Sequence, residues 1–214
     1  MSKHLVGRVT TRRLRVKMGR MLRELHLTGN PDADKLLNDD PFALLVGMLL
    51  DQQYPMEHAF SGPWKIANRM DGFDLHKIAA TDLGTFVELC VTPPAIHRYG
   101  GSMARRVHAL AQHIIDTYDG ETANIWTAGR PKPDGPEVLK RLKALPGFGE
   151  QKAKIFLALL GKQRGVQPKG WREAAGSYGD RGSRRSIADV TDAASLAEVR
   201  NFKKAAKAAA AGTA

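Results

Sequence analysis

The chain has 214 residues, of which 43% are hydrophobic and 26% charged, and this composition excludes a wholly disordered or fibrous protein. Cys90 is its single cysteine, which excludes an internal disulfide and an iron–sulfur cluster, and no apolar stretch is long enough to cross a membrane. The net charge of +11 favours a polyanion such as nucleic acid as the partner of a cytoplasmic protein, nucleoid-associated if the cell is bacterial.

The positive charge is concentrated at the two ends of the chain. Residues 1–20 contain seven basic residues and no acidic one, and residues 197–214 contain four basic residues and one acidic one. Residues 1–20 could be a DNA-binding arm or simply a solvated, flexible tail, and Met21 could be the true start. We therefore divide the chain into a flexible basic arm over 1–20, a helical domain over 21–200 and an Ala/Lys-rich tail over 201–214.

Capping and turn residues divide the middle of the chain into helices, and no alternating apolar and polar run predicts a sheet. Asp40 and Pro41 are typical of a helix start, and the apolar residues 42–50 predict a central, buried helix. Ser102 is expected to cap a longer helix that Gly120 ends. The predicted fold class is all-α.

Residues 138–161 predict two helices joined by the segment Leu145–Gly149, Leu-Pro-Gly-Phe-Gly, which is a helix-hairpin-helix motif. The two glycines allow a tight turn and a close approach to a phosphate, and the amides that open the second helix can donate to an anion. Lys152 and Lys154 can add positive charge toward the same phosphates. Such a motif holds the DNA backbone and reads no base sequence. The alternative is a tight turn between helices with Phe148 packed inward.

On these residues the chain resembles the helix-hairpin-helix-Gly/Pro-Asp (HhH-GPD) superfamily of base-excision DNA glycosylases, over about residues 40–178. Residues 44–53, Leu-Leu-Val-Gly-Met-Leu-Leu-Asp-Gln-Gln, are similar to the family's buried helix that ends in glutamine at the minor-groove side. Residues 99–107 look like the segment that brings another helix across the DNA face. The resemblance implies a two-lobed helical glycosylase-type fold, double-stranded DNA as the partner and a nucleotide flipped between the lobes. We expect a monomer.

The resemblance also implies DNA contacts. A residue at the position of Gln53 enters the base stack or contacts the orphaned base, which suits an amide that both donates and accepts hydrogen bonds. Gln52 and Gln53 could instead simply cap the helix end. The predicted DNA-binding residues are Gln52, Gln53, Pro146, Gly147, Phe148, Gly149, Gln151, Lys152 and Lys154. Hairpins of this family can hold a structural monovalent cation through backbone carbonyls, and the histidine spacing predicts no other metal site.

One chemical position departs from the pattern of the bifunctional members of the family. They carry a lysine nucleophile two residues after the second hairpin glycine, where this chain has Gln151. Lys152 is one residue further along and is rotated by about 100° on a helix, so we do not expect it to reach the same point. The sequence therefore predicts a glycosylase without a lyase step.

A second departure concerns the family's defining aspartate, which follows the second hairpin helix and has no counterpart in register here. That carboxylate stabilises the oxocarbenium-like sugar or activates water. Glu173 is the nearest acid and our first candidate to replace it, and Asp51 and Asp180 are less favoured substitutes. An exposed ion pair is the alternative role for Glu173. Trp171 could line the base pocket by stacking on the extruded base, or it could belong to the core.

Two functions from different classes follow from these residues. The leading hypothesis is a base-excision repair enzyme, a monofunctional DNA glycosylase that flips a damaged or mismatched base and hydrolyses its N-glycosidic bond. The missing aspartate keeps a second hypothesis open, a noncatalytic helix-hairpin-helix module that recognises lesions or distorted DNA. A helical scaffold with no role on DNA would require the hairpin match to be accidental.

Overall fold

The computed structural model of the protein describes residues 24–212. The basic segment 1–20 lies outside the described residues, so its proposed role as an arm stays a prediction. Helices and turns make up the described part of the chain, which contains no β-strand. The prediction of an all-α fold class is confirmed.

Helices from the first half of the chain pack around a central helix, α2, and around the long helix α7. These helices are Pro31–Asp39 (α1), Pro41–Leu50 (α2), Met56–Phe60 (α3), Gly62–Met70 (α4), Leu75–Ala80 (α5), Leu83–Val91 (α6) and Gly100–Tyr118 (α7).

The second group of helices packs around α10, which also contacts α2 and so joins the two groups. Its members are Asn124–Thr127 (α8), Gly135–Lys143 (α9), Glu150–Gln163 (α10), Trp171–Ala175 (α11) and Ala193–Gly212 (α12). Two 3-10 turns, Gly176–Tyr178 and Ile187–Asp189, lie between α11 and α12. Helix α12 includes most of the segment that the sequence marks as an Ala/Lys-rich tail.

Helix α2 is the centre of the first group. The Asp40 side chain accepts hydrogen bonds from the backbone N–H groups of Phe42 (2.7 Å) and Ala43 (3.1 Å), and Pro41 occupies the first helical position. All residues from 42 to 50 are buried, so the helix has almost no solvent face. The prediction of a central, buried helix is confirmed.

Helix α7 begins earlier than the sequence predicts. It starts at Gly100 with no side-chain cap, so the expectation that Ser102 caps it is wrong. The chain enters the helix against α6, where a Cβ atom on Gly100 would lie 3.0 Å from the Val91 side chain. The helix therefore begins in close contact with α6 and without a capping side chain. The helix ends at Tyr118.

Gly161 shows how closely α10 and α11 pack. A Cβ atom at this position would lie 2.4 Å from Cε3 and Cζ3 of Trp171, a residue that is 7% exposed. The Arg172 guanidinium covers the ring, with its carbon 4.3 Å from the ring centroid. The tryptophan is therefore held in the core, and there is no room between the two helices for an additional methyl group.

We predict that Gly161→Ala destabilises the protein by about 1–3 kcal/mol, because the new methyl group displaces the Trp171 ring. This result would oppose the intrinsic preference for alanine over glycine inside a helix, about 1 kcal/mol. The measurement is urea denaturation followed by circular dichroism.

Gly101→Ala is the matched control. Gly101 also lies in a helix, but the nearest atom to its added Cβ would be 3.7 Å away, an ordinary contact. We expect this variant to be as stable as the wild type or more stable. Equal unfolding midpoints for the two variants would contradict the packing argument.

Candidate functional site

The turn between α9 and α10 presents the first backbone amides of α10 to solvent. Gly147 has a φ of +78°, and a Cβ atom there would lie 2.4 Å from Cδ1 of Leu49. Gly149 is exposed, and a Cβ atom there would meet no atom within 4 Å. No side chain caps α10. The fold therefore requires glycine at 147, whereas Gly149 leaves open space in front of amides that can bind an anion.

Phe148 and Lys154 have partners within the protein. Phe148 is buried and lies edge-on to Phe156, with ring centroids 6.1 Å apart, so its side chain belongs to the core. The Lys154 ammonium lies 2.7 Å from Glu150, and Lys143 lies 3.2 Å from the same carboxylate. Hydrogen bonds from Lys154 and Lys143 lower the pKa of Glu150. For binding an anion, the hairpin thus provides backbone amides, whereas Lys143 and Lys154 are already paired with Glu150.

Lys152 connects the hairpin to the central helix. Its ammonium donates a hydrogen bond to the backbone carbonyl of Leu49, at the end of α2, where a positive charge also complements the helix dipole. Burial lowers the pKa of Lys152 from 10.5 to about 8, and the neighbouring charge of Asp51 partly opposes this shift. Lys152 is therefore partly buried between two helices and is not a free surface cation.

Gln52 and Gln53 form an exposed turn directly after α2. Gln53 has a φ of +52°, which is uncommon for a residue other than glycine. Arg106 donates to the Gln52 side-chain oxygen (3.1 Å), and Arg98 donates to that of Gln53 (3.2 Å). Two arginines thus position the amides. Tyr99, 50% exposed, lies beside this turn beneath the Arg98 guanidinium, 4.4 Å from the ring centroid.

A hydrogen bond from His97 holds the backbone of the glutamine turn. Its Nδ1 accepts a hydrogen bond from the backbone N–H of Tyr99 (3.0 Å), so Nε2 carries the proton and donates to the Gln52 carbonyl (3.1 Å). The ring is 1% exposed and packs against Tyr54, and burial lowers the pKa of His97. A neutral imidazole therefore fixes the backbone of the turn. No sequence spacing indicates this role, because His97 and Gln52 are 45 residues apart.

A cleft of about 880 Å³ lies between the glutamine turn, the hairpin and α12. Asp51 is the sole carboxylate among the described residues that line it, and its side chain is 14% exposed. Gln151 also lines the cleft, where its side-chain amide donates to the Tyr178 hydroxyl (3.0 Å). The cations around the cleft are Arg106, Lys152, Arg185 and Lys203. This arrangement combines one acid with a basic rim, as a site for a polyanionic substrate requires.

Two residues that the sequence places at the site lie elsewhere in the structure. Glu173 is exposed on α11 and does not line the cleft. Trp171 packs against Gly161 in the core, and it does not line the cleft either. The structure therefore brings Asp51 to the cleft and leaves Glu173 and Trp171 outside it. Asp180 lines a separate surface pocket with Arg181.

Within 24–212, no three His, Cys, Asp or Glu side chains lie close enough together to hold a metal ion. Across the same residues, no helix is both long enough and apolar enough to span a bilayer. A monovalent cation at the hairpin carbonyls stays a prediction from the resemblance.

The shifted pKa of Lys152 leads to a prediction about stability and pH. Because the pKa is lowered to about 8 in the folded protein, the unfolded chain binds more protons at this position between about pH 8 and pH 10.5. The contribution of Lys152 to stability therefore rises with pH across this range. We expect the wild type to gain stability relative to Lys152→Met between pH 7.5 and pH 10.5, measured by denaturant unfolding. A difference that is independent of pH would contradict this expectation.

Residues 46–210 match the family model described as HhH-GPD superfamily base excision DNA repair protein; this range covers most of the chain and includes the hairpin, the residues that line the cleft and most of α12. A search of curated proteins and a search of solved structures returned no match. The resemblance carried by the hairpin and the glutamine turn is confirmed, and the chain belongs to the HhH-GPD superfamily of base excision DNA repair proteins.

Proposed function

We propose that the protein is a monofunctional DNA glycosylase, which flips a damaged or mismatched base out of double-stranded DNA and hydrolyses its N-glycosidic bond. The observation that carries this proposal is the position of Asp51, a carboxylate inside a basic cleft between the hairpin and the glutamine turn. Such a cleft can accept an extruded nucleotide while the flanking backbone stays outside.

Binding to the DNA backbone is supported by the hairpin and by the basic rim. The uncapped amides at the start of α10 can donate to one phosphate, and the space in front of Gly149 allows it to approach. Arg106, Arg185 and Lys203 provide further positive charge around the cleft. These contacts would position the duplex without reading its sequence.

Extrusion of a base requires groups that can replace it in the stack. Gln53 on the turn and Tyr99 beside it are both exposed, and Arg98 contacts both side chains. The amide of Gln53 can hydrogen-bond to the orphaned base, and the Tyr99 ring can stack on a neighbouring base. His97 holds the backbone beneath them and so reduces the flexibility of the turn.

In the proposed reaction the bond between C1′ and the base nitrogen breaks, and the electron pair leaves with the base. The carboxylate of Asp51 would stabilise the positive charge that develops on the sugar, or accept the proton of the water that adds to C1′. Asp51 is favoured over Glu173 because Glu173 lies outside the cleft. A lyase step is not proposed, because Gln151 occupies the position of the family lysine and the amine of Lys152 is bound to the Leu49 carbonyl.

The alternative function is a noncatalytic module that recognises lesions or distorted DNA. The observation that favours it is the absence of an aspartate in the family register after α10. Such a module would use the same hairpin and the same glutamine turn, and Asp51 would then serve only as the ion-pair partner of Lys203, 3.7 Å away. The two functions differ in base release, not in binding.

We predict that Asp51→Asn lowers the rate of base release by about a hundredfold or more without weakening duplex binding, because the charge is lost at nearly constant size. The substrates are end-labelled duplexes that contain uracil, a G·T mismatch, hypoxanthine, an alkylated purine or 8-oxoguanine. Strand breaks after alkali report base release, and breaks without alkali report a lyase step.

Glu173→Gln serves as the matched control for Asp51→Asn. It removes a carboxylate on α11 that does not line the cleft, so we expect base release at the wild-type rate. Loss of activity in this variant alone would return the catalytic role to Glu173. No release from any duplex, with binding retained, would favour the noncatalytic module. Breaks without alkali would contradict the monofunctional assignment.

We predict that Gly149→Ala weakens duplex binding about tenfold, because its methyl group enters the space in front of the hairpin amides. Fluorescence anisotropy with a labelled duplex measures the affinity. The cost to stability should stay below about 1 kcal/mol, the usual difference between glycine and alanine before a helix. Wild-type affinity should fall as salt rises, because phosphate contacts release counterions.

Gly147→Ala provides the contrast to Gly149→Ala. This substitution combines a positive φ with a clash against Leu49, so we expect lower stability as well as weaker binding. Unchanged affinity in Gly149→Ala, or wild-type affinity that does not depend on salt, would be incompatible with a hairpin that holds phosphates.

A further inference from the structure

Helix α12 consists of two halves with different surroundings. Its first half is anchored to the protein: Ser195 and Val199 are buried, Leu196 is partly buried, and the helix contacts the 3-10 turn Ile187–Asp189. From Arg200 onward, every side chain that the structure describes is exposed. Among the described side chains of the outer half of α12, residues 200–212, none is therefore buried in the core.

This outer half nevertheless reaches over the cleft. The Lys203 ammonium lies 3.7 Å from Asp51, and Arg200 forms an ion pair with Glu57 of α3. Phe202 lies under the Arg185 guanidinium, whose carbon is 5.2 Å from the ring centroid. These contacts are made by charged or partly exposed side chains, and they place the outer half directly beside the proposed catalytic carboxylate.

Contacts of this kind hold a helix weakly. Ion pairs with an exposed cation contribute little to stability and are screened by salt. The side chains of Arg200 and Lys203 are 57% and 43% exposed, and those of their partners Glu57 and Asp51 are 19% and 14% exposed. A short helical segment whose described side chains are all exposed is also marginal in water. The outer half can therefore leave the cleft without disturbing the anchored half of α12.

The partners of these cations point to what would move the helix. Asp51 and Glu57 are carboxylates, and a DNA strand presents a dense row of negative charges that attracts the same arginine and lysine more strongly than single carboxylates do. Lys204 adds a further exposed cation on this segment. A duplex at the cleft would thus compete with Asp51 and Glu57 for the outer half of α12.

We propose that the outer half of α12 is a gate over the cleft, held closed by the Lys203–Asp51 and Arg200–Glu57 pairs and opened by the DNA backbone. This inference rests on the proposed function, because the ligand that opens the gate is duplex DNA. When phosphates bind Arg200 and Lys203, the helix moves and Asp51 loses its lysine partner. The carboxylate thereby becomes available to the extruded nucleotide only when a duplex is present.

The test measures the position of the outer half in the full chain. Cys90 is buried and burial raises the pKa of its thiol to about 12, so a thiol-reactive spin label should modify only introduced cysteines. Lys140→Cys on α9 and Ala208→Cys on α12 provide two exposed sites. The distance between the labels is measured by pulsed electron paramagnetic resonance with and without a lesion-containing duplex. We expect the distance distribution to shift when the duplex binds.

Glu57→Gln tests the closed state without changing any residue proposed to contact DNA. It removes the carboxylate partner of Arg200, so the free protein should shift toward the distances seen with DNA, and duplex affinity should rise two- to fivefold. Glu88→Gln is the matched control, because it makes the same change in net charge at an exposed glutamate of α6 for which no ion pair is described. Any gain in affinity from charge alone should appear equally in both variants.

The outcomes separate this proposal from the proposed function. Duplex binding with an unchanged label distance would overturn the gate alone, and so would equal effects of Glu57→Gln and Glu88→Gln. A protein that binds no duplex would overturn the gate together with the proposed function. A shift of the free protein to the open distances at high salt, where ion pairs are screened, would support the gate independently of DNA.

Discussion

The contact between the end of α2 and the start of α10 is the constraint on which the rest of the site depends. Leu49 contributes two interactions to this contact. Its side chain packs where Gly147 has no Cβ atom, and its carbonyl accepts a hydrogen bond from Lys152. This contact puts the hairpin amides beside the glutamine turn and sets Asp51 between them. The turn proposed to bind phosphate and the turn proposed to contact a base thus become parts of one surface, although 103 residues separate Leu49 from Lys152.

The polar groups around this contact are connected rather than independent. His97 fixes the backbone of the glutamine turn, Arg98 and Arg106 hold its two amide side chains, and Lys152 neutralises the end of α2. Each group reduces the conformational freedom of a residue that would contact DNA, so less ordering remains to be done on binding. The exposed contacts of α12 are the exception, and they are the part of the surface that can change.

The sequence predicts features that depend on neighbours along the chain. The cap at Asp40, the buried helix after it and the hairpin follow from local chemistry and were found as predicted. The start of α7 was not found where the sequence predicts it. The helix begins at Gly100, which packs on α6, and Ser102 does not cap it. The location of Glu173 outside the cleft, and the pairing of Asp51 with Lys203, depend on how distant helices pack, and no single-sequence pattern contains that information.

The packing of Leu49 on Gly147 also has an evolutionary consequence. Because a Cβ atom at 147 would occupy the volume of the leucine side chain, the two positions cannot vary independently. A homologous chain with a larger residue at 147 would need a smaller one at 49 and a turn that no longer requires a positive φ. Correlated substitutions at positions 49 and 147 among homologous chains would therefore identify the contact between the two groups of helices.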